Sequence, residues 1–182
     1  MTSKEITKIT NGQKNKIIEL VRAEVDEMSM LGTAKFCGAE LCCIKNAYDF
    51  MFDGFKYIRS KYITDIITSE KNETLGFYNN IYAKENLFDS DDVPYTSDTF
   101  RKLFEELAKS GEAVTVECNF EDAIDYYLGK IVSLTGNLAT MQCFDGNGEI
   151  FKDKVRVNLD FVSMVTVGDR YTCTMAKYVK WR

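Results

Sequence analysis

The most suggestive chemical motif in the chain is the segment FDGNGEI at positions 144–150. In it Asp145, Asn147 and Glu149 alternate with glycines, as oxygen ligands alternate in a calcium loop. An EF-hand loop beginning at Asp145 would need glutamate at its twelfth position, where the sequence has Arg156. Asp-Gly and Asn-Gly pairs between strand-like segments are typical of tight hairpin turns, because these residues tolerate positive φ. The motif therefore predicts a turn between two strands and no metal site.

A second group of carboxylates, Glu121, Asp122 and Asp125, lies in the segment NFEDAID. Paired carboxylates can hold a divalent cation, or they can divide the general acid and base roles between them. The neighbouring sequence supplies neither a nucleophile nor a group that would stabilise developing charge. We interpret the segment as a solvated turn, and we keep a carboxylate- and Mg²⁺-dependent nuclease as the second alternative function.

The chain contains no histidine. This excludes Ser-His-Asp and Cys-His catalysis, histidine metal ligation and histidine-based pH switching. There is no C-x-x-C pair for a zinc site, and neither G-x-x-x-x-G-K-[ST] nor G-x-G-x-x-G is present for binding phosphates. The sequence thus predicts a protein that has no catalytic residues, no metal and no cofactor.

The charges indicate what kind of partner to expect. The 23 Lys and Arg residues against 28 Asp and Glu give a formal net charge of −5, which does not favour direct binding of nucleic acid. The candidate contacts for a basic protein partner are Asp89, Asp91, Asp92, Glu121, Asp122 and Asp125. The candidate contacts for an anion are Lys152, Lys154, Arg156, Lys177, Lys180, Trp181 and Arg182.

The N-terminal sequence and the six cysteines predict a cytoplasmic protein without membrane contact. The first residues lack the apolar segment of a signal peptide, and no apolar run approaches the roughly 18 residues of a membrane span. Cys42 and Cys43 are neighbours, so their Cα atoms are about 3.8 Å apart, which is below the usual disulfide range of roughly 4.4–6.8 Å. We therefore expect buried, reduced thiols.

Apolar spacing predicts a mainly helical region over residues 1–92. A first stripe at helical spacing consists of Ile17, Leu20, Val21, Val25 and Met28. A longer one, spaced alternately by four and three, consists of Cys37, Leu41, Ile44, Tyr48, Met51, Phe55, Ile58 and Tyr62. We interpret this aromatic stripe as core, with a dimer face or a partner groove as the alternative. The segment LGFYNNIYA predicts a strand, and the acidic loop around Pro94 ends the region.

A different pattern follows in residues 93–182. The segment TFRKLFEELAKSG predicts a short helix that Ser97 or Asp98 caps and Gly111 ends. Beyond Gly111 the apolar period changes to two, which predicts five or six short strands, the last of them RYTCTM. The expected fold class is α+β, with a helical N-terminal half packed on a small antiparallel C-terminal β-barrel that a short helix precedes.

Residues 98–167 resemble the Sm-like small-barrel proteins in the order of their elements. The helix is followed by VTVEC, YLGKIVSLTG, LATMQCF, KVRVNL and FVSMVTV, and Gly129 stands where such barrels often bend. The resemblance implies a five-stranded bent barrel and, through the family, binding of RNA or small nucleotides. Thr135, Gly136 and Asn137 replace the family's Asp-x-x-Asn-type contact between the second and third strands. Residues 1–90 resemble no family.

These observations lead to two expected functions of different classes. The first is a non-enzymatic protein-binding inhibitor or regulator. Small acidic anti-CRISPR and toxin-immunity proteins have this profile and cover the basic sites of nucleic-acid-dependent enzymes. The alternative is an Sm-like RNA- or nucleotide-binding protein, which would need a homo-oligomer to gather Lys152, Lys154 and Arg156 from several chains.

Overall fold

The computed structural model describes residues 1–25, 29–88, 93–120 and 123–181. The chain divides into two compact units, Met1–Pro94 and Tyr95–Arg182. In the described residues, each unit contains five antiparallel strands and two α-helices.

The first unit begins with a helix and continues with a meander of strands. Its elements are α1 (Ser3–Gly12), β1 (Ile17–Val21), β2 (Met30–Cys37), β3 (Leu41–Tyr48), β4 (Met51–Arg59), a 3₁₀ turn (Ser60–Tyr62), β5 (Asp65–Ile67) and α2 (Glu73–Lys84). The strands lie in the order β5-β1-β2-β3-β4, and each neighbouring pair is antiparallel. Helix α1 packs on β2, and α2 packs on β1.

The second unit has the same sequence of element types. Its elements are α3 (Phe100–Ser110), β6 (Ala113–Asn119), β7 (Ile124–Thr135), β8 (Leu138–Cys143), β9 (Val155–Asn158), a 3₁₀ turn (Leu159–Phe161), β10 (Val162–Val167) and α4 (Arg170–Tyr178). The strands lie in the order β10-β6-β7-β8-β9, again with antiparallel neighbours. Helix α3 packs on β7, and α4 packs on β6. Among the described residues, no helix combines the length and the apolar character needed to cross a membrane.

The expected helical N-terminal half is wrong, because most residues of both predicted helical stripes lie in strands. The first stripe begins in β1, and its last residue, Met28, lies outside the described residues. The second stripe runs through β2, β3 and β4 and ends at Tyr62 in the 3₁₀ turn. Strand β3 is buried at four consecutive residues, Leu41 to Ile44, so it lacks the alternation that identifies a strand exposed on one face. By coincidence, the turns between these strands preserve the alternating spacing of four and three. The apolar residues of three strands therefore imitate one helical stripe. The segment LGFYNNIYA, predicted to be a strand, lies in helix α2.

The expected closed barrel is also wrong, although its helix and its five strands are confirmed. Strands β9 and β10 follow each other through the 3₁₀ turn, but they lie at opposite ends of the unit's strand order. The described residues form no ladder between them, so the sheet of this unit is open. The segment RYTCTM, predicted to be a strand, is helical in α4, because the Asp169 side chain caps it by accepting from the Thr172 amide at 2.8 Å.

Helix α3 is the best-predicted element of the chain. Its buried face consists of Phe100, Leu103, Phe104 and Leu107, as the spacing predicts. Gly111 ends the helix at φ 67°, which confirms the predicted stop. The N-cap is Thr99, one or two residues beyond the predicted caps, and its side chain accepts from the Lys102 amide.

The cysteines differ from the expectation at one pair. Cys37 and Cys42 face each other across the β2–β3 hairpin and form a disulfide. The hairpin brings them together, which the neighbouring positions of Cys42 and Cys43 do not predict. The other four cysteines form no disulfide: Cys43, Cys118 and Cys143 are buried, and Cys173 is exposed. The expectation of six thiols is therefore corrected at this pair.

The second strand of each unit approaches the third very closely at a glycine. A Cβ on Gly32 would lie 2.4 Å from the Lys45 carbonyl oxygen, and one on Gly129 would lie 2.2 Å from the Gln142 carbonyl oxygen. Real Cβ atoms do not tolerate such distances to backbone, so both positions require glycine.

Candidate functional site

The first unit contains a cavity of about 230 Å³ beside the turn that joins β3 to β4. Its lining residues come from three strands, the turn and helix α2. They are Ile17, Leu31, Ala47, Tyr48, Asp49, Phe50, Tyr78 and Tyr82. We refer to this cavity as the aromatic pocket. Sites for cofactors and drug-sized ligands measure roughly 300–1,000 Å³, so the aromatic pocket suits one side chain or a small group.

The turn that forms one side of the aromatic pocket has an unusual backbone. Asp49 has φ 46° and Phe50 has φ 60°, so both central residues are left-handed, as in a type I′ hairpin turn. Such turns normally contain Asn-Gly or Asp-Gly, and a left-handed residue with a side chain costs about 1–2 kcal/mol. Backbone strain of this kind concentrates at binding sites. The strained turn therefore suggests that Phe50 has a role in binding.

Phe50 contacts the aromatic residues of helix α2. Its ring centroid lies 5.4 Å from that of Tyr78 with the planes at 80°, and 5.8 Å from that of Tyr82 at 43°. Tyr82 also contacts Phe52 and Phe88, with both centroid distances at 5.5 Å. Aromatic pairs of this type contribute about 0.5–1.5 kcal/mol each beyond the area they bury. These contacts offset the strain of the turn, and the inclined rings form walls.

The Asn79 side chain joins helix α2 to the sheet by hydrogen bonds. Its Oδ1 accepts a hydrogen bond from the Ile17 amide at 2.7 Å, and its Nδ2 donates to the Ile17 carbonyl at 3.0 Å. The same Nδ2 also donates to the Leu75 carbonyl at 3.0 Å. Tyr78 and Tyr82 are thereby held at a defined distance from β1.

Asp49 supplies the negative charge among the lining residues of the aromatic pocket. Burial raises the pKa of Tyr82, and the neighbouring charge of Asp49 raises the same pKa further. The carboxylate therefore acts on the interior of the pocket although Asp49 itself is exposed. A cation bound close to this carboxylate would be attracted by it, and an anion would be repelled.

Exposed aromatic and methionine side chains occur among the residues that line the aromatic pocket and next to them in the sequence. Tyr48 is 66% exposed, and Met51 on the other side of the turn is also exposed. Phe77, the residue before Tyr78 in α2, is exposed as well. Clustered aromatic and methionine side chains on a surface are typical of protein–protein interfaces.

Most of the acidic residues predicted to bind a partner fall in segments outside the described residues. Asp89, Asp91, Asp92, Glu121 and Asp122 lie outside the described residues. Asp125 is exposed on β7, where its Oδ2 accepts a hydrogen bond from the Tyr127 hydroxyl at 3.0 Å. Burial and then this hydrogen bond raise the pKa of Tyr127 to about 12.

The predicted anion contacts lie in two segments of the second unit. Lys152 and Lys154 are exposed before β9, and Arg156 is exposed on β9. Lys177 and Lys180 are exposed at the end of α4 and after it, and Arg182 lies outside the described residues.

Trp181 differs from these cations because it packs inside its own unit. Its Nε1 donates to the Ala176 carbonyl at 3.0 Å, and its ring meets Phe144 edge-on at 5.5 Å. The Lys130 ammonium lies 4.2 Å from the centre of the same ring. The tryptophan ring is thus already in contact with a cation of its own chain, a contact that the sequence did not predict.

The opening motif forms the predicted turn. Phe144 and Ile150 form an antiparallel bridge across it, and Asp145 Oδ1 accepts from the amides of Asn147 and Glu149 at 2.9 and 3.0 Å. The backbone hydrogen bonds, from Glu149 first and then from Asn147, lower the pKa of Asp145. In the part of the chain that the structure describes, no three His, Cys, Asp or Glu side chains are grouped to hold a metal ion.

The sequence analysis did not identify the aromatic pocket, although Tyr48 belongs to the stripe for which a partner groove was the alternative. The available sequence signals are the two-residue break Asp49-Phe50 between apolar segments and the spacing of four between Tyr78 and Tyr82. Comparison with known proteins gives no match to a family model, a curated protein or a solved structure. The geometry of the site is therefore the basis for the proposals that follow.

Proposed function

We propose that this chain is a non-enzymatic protein-binding inhibitor or regulator, and that the aromatic pocket takes up an anchor side chain of its partner. The observation that carries the proposal is a small cavity lined by four aromatic side chains, two of which, Tyr48 and Phe50, are exposed on the surface. Interfaces are dominated by a few anchors that fill well-packed pockets, with aromatic residues enriched around them.

The partner in this proposal is a basic protein, such as a nucleic-acid-dependent enzyme. The chain carries a net charge of −5, and Asp49 adds a negative charge at the aromatic pocket. Opposite charges raise the association rate and make it dependent on salt. An acidic protein that covers a basic site would compete with the phosphates bound there, as anti-CRISPR and immunity proteins do. We also propose a cytoplasmic location, which the buried thiols of Cys43, Cys118 and Cys143 support, although a reducing compartment does not favour the Cys37–Cys42 disulfide.

The test compares two exposed tyrosines, one in each unit. Tyr48 lines the aromatic pocket and is 66% exposed, whereas Tyr178 is 80% exposed at the end of α4. Each is changed to alanine in the full-length chain, and the tagged proteins are used to recover the partner from the native host at low salt. We expect Tyr48→Ala to reduce recovery of one specific protein at least about tenfold, because truncating an anchor typically costs about 2 kcal/mol or more.

The control Tyr178→Ala should recover the same protein as the unchanged chain, and added salt should reduce that recovery. Three results would contradict the proposal. One is that the unchanged chain retains no protein at low salt. Another is that Tyr48→Ala recovers the partner as well as the unchanged chain does. The third is that both variants lose the partner equally, which would place the contact elsewhere.

A further inference from the structure

We infer that the group held by the aromatic pocket is a methylated ammonium, carried by a lysine side chain of the partner protein. This inference rests on the proposed protein-binding function, and it specifies the chemistry of the anchor. It follows from the ring arrangement, the charge, the apolar floor and a comparison between the two units.

The number and inclination of the aromatic rings suit a bound cation. Tyr48, Phe50, Tyr78 and Tyr82 all line the aromatic pocket. Phe50 is inclined at 80° to Tyr78 and at 43° to Tyr82, so these rings bound the space from different directions. The negative face of an aromatic ring attracts a cation within about 6 Å of its centre, and enclosure by several rings is how proteins recognise quaternary ammonium groups.

The negative charge of Asp49 also favours a cation in the aromatic pocket. Asp49 lies between Tyr48 and Phe50 in the sequence, and it is among the residues that line the aromatic pocket. A neutral apolar anchor would make no use of this carboxylate and would have to desolvate it. A cation gains from the carboxylate and from the rings together.

A methylated ammonium suits the aromatic pocket better than an unmodified one. The floor of the aromatic pocket consists of the apolar side chains of Ile17, Leu31 and Ala47. An unmodified lysine ammonium carries three N–H donors that must find acceptors, and it is strongly hydrated. Methyl groups need no acceptor and pack against an apolar floor, so the floor favours a methylated cation.

In the second unit, the position that corresponds to the aromatic pocket is filled by side chains of that unit. Strand pairing aligns β1 with β6 and β2 with β7, since Ile18 pairs with Gly32 as Val114 pairs with Gly129. In this alignment, Ile17, Leu31 and Ala47 correspond to Ala113, Leu128 and Phe144. Those three residues of the second unit belong to one apolar cluster with Trp181.

In the second unit this cluster already includes an aromatic ring and a cation. Phe144 stands where the first unit has Ala47, and the Lys130 ammonium lies over the Trp181 ring. The position of Lys130 corresponds to Thr33 in the first unit. The first unit therefore has a cavity beside Ala47, with Thr33 in the place of Lys130. The Lys45 ammonium of this unit lies 5.1 Å from the centre of the Phe52 ring, and neither residue lines the aromatic pocket. A partner's cation would complete the arrangement that Lys130 completes in the second unit.

The experiment uses the full-length chain and two probes of the same shape. Choline carries a trimethylammonium group, and 3,3-dimethylbutan-1-ol carries an uncharged tert-butyl group in its place. Binding is followed by NMR through the ring signals of tyrosine and phenylalanine. We expect choline to bind at least about tenfold more tightly than the alcohol, the size of effect that desolvated cation–π contacts produce.

Two variants locate the binding. Asp49→Asn keeps a residue that tolerates the left-handed backbone and removes the charge, so it should weaken choline binding and leave the alcohol unchanged. Tyr78→Leu keeps apolar bulk and removes a ring, so it should weaken choline binding too, whereas Tyr178→Leu should not. Circular dichroism of each variant establishes that it is folded.

A second comparison identifies the source of the cation. A lysine peptide is titrated with and without trimethylation, and we expect the trimethylated peptide to bind at least about fivefold more tightly. Equal binding of choline and the alcohol would overturn the inference, as would binding of neither probe. Binding of choline without any preference for the trimethylated peptide would overturn the assignment to a partner's lysine. None of these results requires the protein-recovery experiment to fail, so the two proposals can be separated.

Discussion

At the scale of single residues, Phe50 is the residue of the aromatic pocket whose backbone conformation is the most unfavourable for its side chain. A left-handed phenylalanine is strained, and this one remains 39% exposed, so burial alone does not compensate for the strain. What keeps it in place is contact with Tyr78 and Tyr82. The position therefore combines an unfavourable backbone with a ring in the place where a partner's side chain would meet it.

Two substitutions at Phe50 separate the backbone from the ring. Phe50→Ala and Phe50→Gly both remove the ring, but only glycine relieves the left-handed strain. We expect the glycine variant to be more stable than the alanine variant by about 1 kcal/mol, measured as the free energy of unfolding in urea. Met51 provides the control, since it lies in β4 without positive φ, and there glycine should be the less stable of the two. An alanine variant of Phe50 that equals or exceeds the glycine variant would show that the turn is not strained.

At the scale of elements, the placement of helix α2 depends on Asn79. The two hydrogen bonds to Ile17 join the helix to β1 at a residue that is buried. Without the Asn79 side chain, the amide and carbonyl of Ile17 would lose these partners, and a buried unsatisfied group costs about 1–3 kcal/mol. The helix that carries two of the four rings of the aromatic pocket is thus positioned by polar contacts as well as by packing.

We therefore expect Asn79→Ala to lower the free energy of unfolding by about 1–3 kcal/mol and to weaken choline binding. Asn80 is a matched control, because it is the next residue of the same helix and is exposed. Asn80→Ala should change stability by less than about 0.5 kcal/mol. If the two alanine variants have the same stability, the hydrogen bonds to Ile17 do not hold the helix.

The elements of the second unit could largely be predicted because their local patterns agree with their environment. Leu103 and Leu107 repeat at helical spacing before Gly111, and Val114 and Val116 are buried on either side of a half-buried Thr115. In the first unit, Leu41 to Ile44 are all buried, so the period that identifies a strand is absent. Closure of the barrel could not be predicted, because it depends on whether strands far apart in the strand order pair, which local sequence does not specify.

The aromatic pocket could not be predicted for a related reason. Tyr78 and Tyr82 lie in the segment LGFYNNIYA, whose three aromatic residues and one isoleucine favour a strand. The segment is helical because Asn72 caps it by accepting from the Leu75 amide, and because its spacing of four places both tyrosines on one side. Their contact with Phe50 depends on the packing of α2 over β1, which is a feature of the tertiary structure and not of the local sequence.

At the scale of the whole molecule, the chain repeats one architecture twice. Each unit runs through a helix, four strands, a 3₁₀ turn, a fifth strand and a helix, with the fifth strand beside the first. Gly32 and Gly129 occupy corresponding places in the strand order of the two units. The sequence did not indicate this repeat, because the apolar patterns of the two halves differ. Where the two units differ in side chains at corresponding positions, they are expected to differ in function.

The pair Ala47 and Phe144 is the difference that the aromatic pocket depends on. The two residues correspond by strand pairing, and the unit with alanine has the cavity of about 230 Å³. Exchanging the two residue types should therefore have unequal consequences. Phe144→Ala creates a new cavity in a filled cluster and should lower the free energy of unfolding by about 3–5 kcal/mol. Ala47→Phe places the larger ring in existing space and should cost less, about 1–3 kcal/mol or below.

Ala47→Phe should also abolish choline binding and recovery of the partner, since its ring occupies the site, whereas the unfolding of this variant should remain cooperative. Urea unfolding measures the two stabilities, and the NMR titration measures the binding. A cost for Ala47→Phe as large as that for Phe144→Ala would mean that the cavity beside Ala47 is not open to a ring. Retention of choline binding by Ala47→Phe would place the cation away from Ala47 and its apolar neighbours, because the added ring would fill much of the cavity of about 230 Å³.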